Sequence, residues 1–163
     1  MAFDTFLKLA GIDGESTAKG FEKQMEIYSF SWGASNPTTI GSGSTGISAG
    51  KVSVSSFNVM KKTETASAKV FAACATGKHI ATAEVVLRKA GGDAGQNPFL
   101  KYKFTDVMVE SIQWSGSSGG DDTPTESLSF AFGKVEIEYL KQEKDGKLTV
   151  AGQASWDLTK VST

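Results

Sequence analysis

Apolar and polar side chains alternate along most of this chain, and this alternation limits the possible folds more than any other feature of the sequence. In residues 22–32, Met25 and Ile27 point one way while Phe30 and Trp32 point the other. A period of two puts successive side chains on opposite faces of a β-strand, so the pattern predicts half-buried strands. It predicts further strands at residues 2–9, 51–60, 80–89, 99–114, 126–140 and 147–158.

Two of these strands are predicted to be irregular. The long stretch 99–114 is expected to bend near Glu110–Ser111. In residues 126–140 the apolar side chains occupy even positions as far as Phe132 and odd positions from Val135 onward. A one-residue β-bulge at Gly133–Lys134 would return both sets of side chains to one face of the sheet.

One segment has the composition of a helix instead. Residues 65–76 are rich in alanine, the residue with the highest helix propensity. Thr63 or Thr65 is predicted to cap the start, and Gly77 suits the left-handed position after the end. A single helix among seven or more strands predicts a mainly β fold. We expect one domain over residues 1–163, a compact β-barrel with one flanking helix.

The charge balance and the rare residue types exclude several classes of function. Lysine and arginine number 17 and aspartate and glutamate 18, so the formal net charge of −1 argues against nucleic-acid binding. No apolar run is long enough to span a bilayer, and no membrane insertion is expected. A single cysteine, Cys74, and a single histidine, His79, leave no disulfide and little material for a metal site or a catalytic triad.

Two glycine-containing motifs match the residue patterns of known signatures, but the segments that flank them do not fit those signatures. Residues 41–46 read G-x-G-x-x-G, yet the strand and helix that a dinucleotide site needs do not flank them. Residues 116–120 read G-x-S-x-G, yet Asp121 to Pro124 follow, so no helix can begin there as a nucleophile elbow requires. We therefore expect no cofactor, no metal and no enzymatic activity, and a protein that binds or assembles.

Residues 33–50 form the outlier of the sequence. This stretch is long, rich in glycine, serine and threonine, and nearly free of bulky side chains. Loops of this length inside a compact domain are usually functional or disordered. We therefore predict a long extended loop with a functional role.

Five strings of residues, in this order and spacing, resemble a known family. They are Phe6–Leu9, Ser31–Gly33 before the glycine-rich loop, Cys74–His79 at the helix end, Leu87–Gly92, and the loop Ser115–Glu126. Each string is generic by itself, and their joint order is specific. The sequence resembles haemolysin-coregulated protein, Hcp, the tube subunit of bacterial type VI secretion systems, over nearly the whole chain.

The resemblance implies a β-barrel with one helix, which agrees with the strand and helix pattern. It also implies hexameric rings with a wide channel that stack into a tube and work with the spike, sheath and baseplate proteins. Small secreted effectors would be carried in the channel. The N-terminus lacks the pattern of a secretory signal. We therefore expect synthesis in the bacterial cytoplasm and secretion without a cleaved signal peptide.

Two sets of site residues are expected. The resemblance implies ring stacking for the glycine-rich loop, and we expect Ser29 and Ser31 to face the channel and contact effectors because they alternate with aromatic residues. The open alternative is a monomeric β-barrel that binds a small apolar ligand among its Phe and Trp side chains. The stacking residues are Thr38, Thr39, Ile40, Gly41, Ser42, Gly43, Ser44, Thr45, Gly46, Ile47 and Ser48.

Overall fold

The fold is mainly β, with one helix among the residues that the structure describes. The structure is a computed structural model, and it describes residues 3–40, 47–89, 97–120 and 122–162. The elements are β1 (Phe3–Leu9), β2 (Met25–Ile27), β3 (Ser29–Ser31), β4 (Ala34–Ser35), β5 (Thr38–Ile40), β6 (Ile47–Ala49), β7 (Ser53–Val54), β8 (Phe57–Lys62), α1 (Ser67–Thr76), β9 (Ile80–Lys89), β10 (Pro98–Ser115), β11 (Thr125–Gln142) and β12 (Leu148–Asp157).

The strands of the main sheet are hydrogen-bonded in the order β2-β1-β9-β10-β11-β8-β3, and β12 also pairs with β11. This ladder is open, so hydrogen bonds do not close the predicted barrel. Its two end strands, β2 and β3, are consecutive in the chain and are separated only by Tyr28, whose amide donates to the Met60 carbonyl at 2.8 Å. The chain itself joins the two ends, and the single strand predicted at residues 22–32 is divided there.

Aromatic side chains fill the space that the curved sheet encloses. Phe57, Phe104 and Phe130 are fully buried, and each pair of their rings lies 5.1–5.2 Å apart. Phe30 stacks on Phe57 at 5.5 Å, and Trp32 meets Phe104 edge to face at 6.0 Å. The inward half of each alternating strand therefore forms one packed core.

The face switch predicted in β11 is real, but it involves no inserted residue. Asp106 of β10 lies opposite Gly133 and has a φ of 57°, in the left-handed region. A Cβ on Gly133 would lie 3.3 Å from the Cβ of Asp106, so glycine suits this position. At this level the buried side chains of β9, β10 and β11 move to the opposite face of the sheet, and the pairing register of the strands is kept. On one side of the level the buried neighbours are Ile80, Val107 and Phe132, and on the other side they are Ala83, Phe104 and Val135.

The predicted bend in β10 is confirmed. The register between β10 and β11 shifts between Val109 and Ser111, so Glu110 is the extra residue of a bulge. The bulge keeps Ile112 and Trp114 on the same side of β10 as Val109. The direction of the strand changes without moving its apolar residues to the other face.

The helix is confirmed, but the predicted side-chain cap is wrong. α1 begins at Ser67, after Ala66, and neither Thr63 nor Thr65 caps it. Ser67 Oγ instead accepts a hydrogen bond from the Glu64 amide at 2.8 Å. Gly77 ends the helix in the left-handed conformation, as predicted, with a φ of 64°. Within the described segments, no helix has the length and apolar character needed to cross a membrane.

Candidate functional site

Four neighbouring strands, β3, β8, β11 and β10, present two outward rows of uncharged side chains, with exposed Lys62 of β8 beyond one row and exposed Glu110 of β10 beyond the other. Period-two alternation brings their outward residues into two rows across the sheet. We call this surface the serine face. Its two rows are Ser29, Met60, Ser127, Gln113 and Ser31, Asn58, Ser129, Ser111.

The two predicted contact residues lie on the serine face. Ser29 and Ser31 are exposed, and Phe30 between them turns inward to the core. Asn58 Nδ2 donates to the Ser31 carbonyl at 3.3 Å, and the hydroxyls of Ser111 and Ser129 lie 2.7 Å apart. The surface is polar through short side chains and is partly fixed by its own hydrogen bonds.

A buried ion pair lies under the serine face. Lys61 Nζ is 2.8 Å from Glu126 Oε2, and neither side chain is exposed. Trp114 Nε1 donates to Glu126 Oε1 at 2.8 Å, and Lys61 Nζ donates to the Lys62 carbonyl at 3.1 Å. Sequence reasoning missed this pair, because Lys61 and Glu126 are far apart in sequence. The only signal was that both occupy inward positions of their alternating strands.

Burial also changes the titration of a neighbouring carboxyl group. Glu64 Oε1 lies 3.9 Å from Lys61 Nζ. Burial raises the pKa of Glu64 above its ordinary value, and the Lys61 cation opposes that rise only in part. Glu15 shows the opposite effect, since hydrogen bonds from Thr65 lower its pKa.

A second outward surface lies on β1, β9, β10, β11 and β12, and it is charged. Along one row of cross-strand neighbours, from Lys8 in β1 to Glu136 in β11, the side-chain charge alternates between positive and negative. Beside this row, Gln153 Nε2 donates a hydrogen bond to Glu138 Oε2 at 3.4 Å. An open groove of about 560 Å³ runs over part of this surface. We call it the charged face, and its residues are Lys8, Glu84, Lys103, Glu136, Lys101 and Glu138.

The glycine-rich loop contains two short antiparallel ladders that the sequence did not predict. β4 pairs with β7, and β5 pairs with β6 through Thr38 with Ala49, Thr39 with Ser48, and Ile40 with Ile47. The Gly50 amide donates to the Pro37 carbonyl at 2.7 Å between the ladders. We call residues 34–54 the arm. The remaining predicted stacking residues, 41–46, lie outside the described residues.

The other sequence motifs lie apart from these surfaces. The Gly116–Gly120 motif forms a turn, in which the Gly120 amide donates to the Ser117 carbonyl at 3.2 Å, and β11 rather than a helix follows it. His79 Nε2 and Asp106 Oδ1 lie 2.9 Å apart on an exposed surface. In the parts of the chain with described coordinates, no three His, Cys, Asp or Glu side chains are grouped as metal ligands.

Comparison with known proteins identifies the class to which this fold and these surfaces belong. The family model described as "Type VI secretion system effector, Hcp" matches residues 6–139. The chain belongs to the Hcp family of type VI secretion proteins. This confirms the resemblance found in the sequence.

Individual relatives support the same assignment over the full length. The chain is 34% identical to protein hcp1 of Pseudomonas aeruginosa over 146 residues, covering 90% of this chain and 88% of that protein. A solved type six secretion system protein is 39% identical with a TM-score of 0.91, covering 99% of both chains. Hcp1 from Salmonella typhimurium is 34% identical with a TM-score of 0.79, also covering 99% of both.

Proposed function

We propose that this protein is the tube subunit of a type VI secretion system. Its copies form hexameric rings, the serine face lines the channel of each ring, and the rings stack into a tube. The observation that carries the proposal is that one four-strand surface has two central rows of uncharged side chains, while the charged face lies on the same two long strands, β10 and β11. The protein would act through its surfaces and carry out no reaction.

An uncharged polar wall suits a channel that carries proteins. A charged wall would repel cargo of the same sign and hold cargo of the opposite sign, whereas hydroxyl and amide groups keep the wall hydrated without either effect. Ser29 and Ser31 are exposed on this wall. We propose that they contact small effectors there, and that the charged face is turned away from the channel.

The arm would join one ring to the next. A ring uses heterologous contacts, so all its lateral contacts are satisfied on closure and its two flat faces remain for stacking. The β4–β7 ladder at its base and the β5–β6 ladder beyond it give the arm a defined direction. The glycine and serine content of the arm would let it move before docking, and its ordering would cost about 1–2 kcal/mol per residue, which would keep stacking weak until the spike, baseplate or sheath starts it.

Deletion of residues 40–48 tests the role of the arm. Because the deleted residues lie beyond the β4–β7 ladder and outside the main sheet, we expect the hexamer to persist and tube growth and secretion to stop. Native mass and electron microscopy of the purified variant measure the first two, and secretion by cells measures the third. Normal secretion of the deletion variant would refute this role.

The substitution Ser31→Gln tests the channel wall. We expect intact rings that no longer retain effectors, because the longer side chain projects from the wall at the contact site. Ser155→Gln is the control, since Ser155 pairs with Glu136 beside the charged face. Effector retention is measured by co-purification. Retention unchanged by Ser31→Gln, or lost equally with Ser155→Gln, would count against the serine face as the contact surface.

The alternative, a monomeric barrel that binds a small apolar ligand, has less support. The Phe and Trp side chains that would line its cavity instead pack against one another in the core. Native mass separates the two functions, since a ring requires a mass near six times the 17.2 kDa of the chain.

The proposed route follows from the family assignment. The protein would be made in the bacterial cytoplasm and leave the cell through the secretion system, without cleavage of a signal peptide. Detection of the full-length chain in the culture medium of wild-type cells, but not of cells lacking the sheath, would support this route.

A further inference from the structure

Among the described residues that form the two rows of the serine face, Met60 is the only large apolar one, and it is 45% exposed. Its cross-strand neighbours are Ser29 in β3 and Ser127 in β11, and both are exposed. A serine side chain is too short to cover a methionine, so the thioether of Met60 projects above both neighbours. An apolar group in this position gains free energy when a partner removes it from water.

Lys62 follows Met60 on the same outward side of β8, because successive side chains of a strand alternate between its two faces. The Cα atoms of two such residues lie about 7 Å apart. Lys62 is exposed, and its Nζ lies 5.8 Å from the ring centre of Tyr28, which is 59% exposed. Within the described segments, no carboxylate forms an ion pair with Lys62. Its ammonium group is therefore available to a carboxylate of another molecule.

The sheet and the core beneath it hold Met60 and Lys62 at a fixed spacing. β8 lies between β3 and β11 and is hydrogen-bonded to both strands. Its inward residues Val59 and Lys61 are buried, and Lys61 Nζ lies 2.8 Å from Glu126 Oε2. An apolar group and a cation that are fixed in this way can select a partner by the spacing of the partner's own groups, with little loss of freedom on binding.

We propose that Met60 and Lys62 recognise an effector segment that carries an aliphatic side chain beside a carboxylate. The aliphatic side chain packs on the thioether of Met60, whose flexibility and polarisability accommodate different shapes. The carboxylate pairs with Lys62. This inference rests on the proposed function, in which effectors contact the serine face, and it names the chemistry that selects among them. A ring would repeat the site in every subunit, so an effector with several such segments would be held more tightly than one site could hold it.

Three fluorescent peptides and the purified ring test the site. The first is a short glycine–serine peptide that contains the sequence Leu-Ser-Glu, the second has serine in place of its leucine, and the third has glutamine in place of its glutamate. Fluorescence anisotropy measures the Kd of each peptide. We expect the wild-type ring to bind the first peptide about fivefold more tightly than the second and, at low salt, about threefold more tightly than the third.

Variants of the two residues should remove these two preferences separately. Met60→Ser should abolish the preference for leucine and keep the preference for glutamate, and Lys62→Gln should do the reverse. Met60→Leu is the matched control, because it keeps an apolar side chain of similar size, and it should retain both preferences. Both positions are exposed, so each variant should stay folded, and native mass shows whether its ring is intact.

Nuclear magnetic resonance of carbon-13-labelled methionine methyl groups gives a second readout that needs no variant. We expect the Met60 signal of the wild-type ring to shift on titration with the first peptide. The signal of Met108, which is 43% exposed but lies outside the two rows, should stay in place. Intact wild-type rings with equal affinity for the three peptides, or with a shift of Met108 alone, would overturn the inference. A wild-type protein that stays a single chain at every concentration would overturn the proposed ring itself, and so the two failures are distinguishable.

Discussion

The serine face and the charged face are built on the same two strands, yet they handle charge in opposite ways. Above the level of Asp106 and Gly133, the outward side chains of β10 and β11 form sign-alternating rows with their neighbours. Below that level the two rows of the serine face are uncharged, with Lys62 and Glu110 at their ends, and the charges of Lys61 and Glu126 lie underneath in the core. One sheet can therefore present two chemically different surfaces when three neighbouring strands change face at one level.

The difference shows that the composition of a whole chain hides how charge is placed. A net charge of −1 describes the sum and says nothing about the two faces. Exposed ion pairs contribute little to stability, so substitutions on the charged face should change the free energy of unfolding only slightly. Removing one partner of a buried ion pair should lower it strongly. The following variants test that contrast.

The largest effect is expected from Lys61→Met. Removing the cation leaves Glu126 buried without its partner, and we expect a loss of about 3–5 kcal/mol in the free energy of unfolding. Lys103→Met makes the same change on the charged face and should cost less than about 1 kcal/mol. Urea unfolding measures both. Equal losses for the two variants would show that the contrast between buried and exposed charge is wrong.

A smaller effect is expected from Lys103→Glu. This change puts a carboxylate between Glu84 and Glu136, and like charges on adjacent strands should cost about 1 kcal/mol, less in high salt. Gln113→Glu on the serine face has no charged cross-strand neighbour, and we expect less than about 0.5 kcal/mol. The comparison is best made by unfolding at low and high salt. A salt-dependent loss for Gln113→Glu would contradict the uncharged character of the serine face.

The smallest effect is a pH dependence at Glu64. Burial raises the pKa of Glu64, so its contribution to stability is present below its unfolded pKa and is lost as the pH rises through the folded value. Glu64→Gln should therefore gain stability relative to wild type at neutral pH and lose that gain near pH values of about 3.

Glu15→Gln is the control for this prediction, and it should change in the opposite direction. Hydrogen bonds from Thr65 lower the pKa of Glu15, so its contribution is present at neutral pH and is lost as the pH falls. Urea unfolding of both variants across this pH range gives, for each, the slope against pH of the change in the free energy of unfolding relative to wild type. Slopes of the same sign would contradict the assigned causes.

The sequence predicted the strands and the helix well because their signals are local. Alternation located β9 and β12 within one residue, and Gly77 marked the end of α1. The side-chain cap was predicted wrongly because Ser67 bonds to the Glu64 amide from within the helix, a geometry that no spacing reveals.

The candidate site was only partly predictable, because it depends on register. The alternation around Ser29 and Ser31 was visible in the sequence, but the pairing of Ser29 with Met60 and of Met60 with Ser127 was not. The Lys61–Glu126 pair depends on the same long-range register. The switch at Asp106 and Gly133 was inferred from β11 alone, and it proved to be shared by three strands.

The most direct test of the account is where a bulky label sits on the assembled ring. In a Cys74→Ser background, Ser31→Cys and Lys103→Cys would each be biotinylated, mixed with streptavidin and imaged by electron microscopy. We expect rings with streptavidin around the outside for position 103 and none outside for position 31. Streptavidin around the outside of rings labelled at position 31, or a field of single chains without rings, would contradict it.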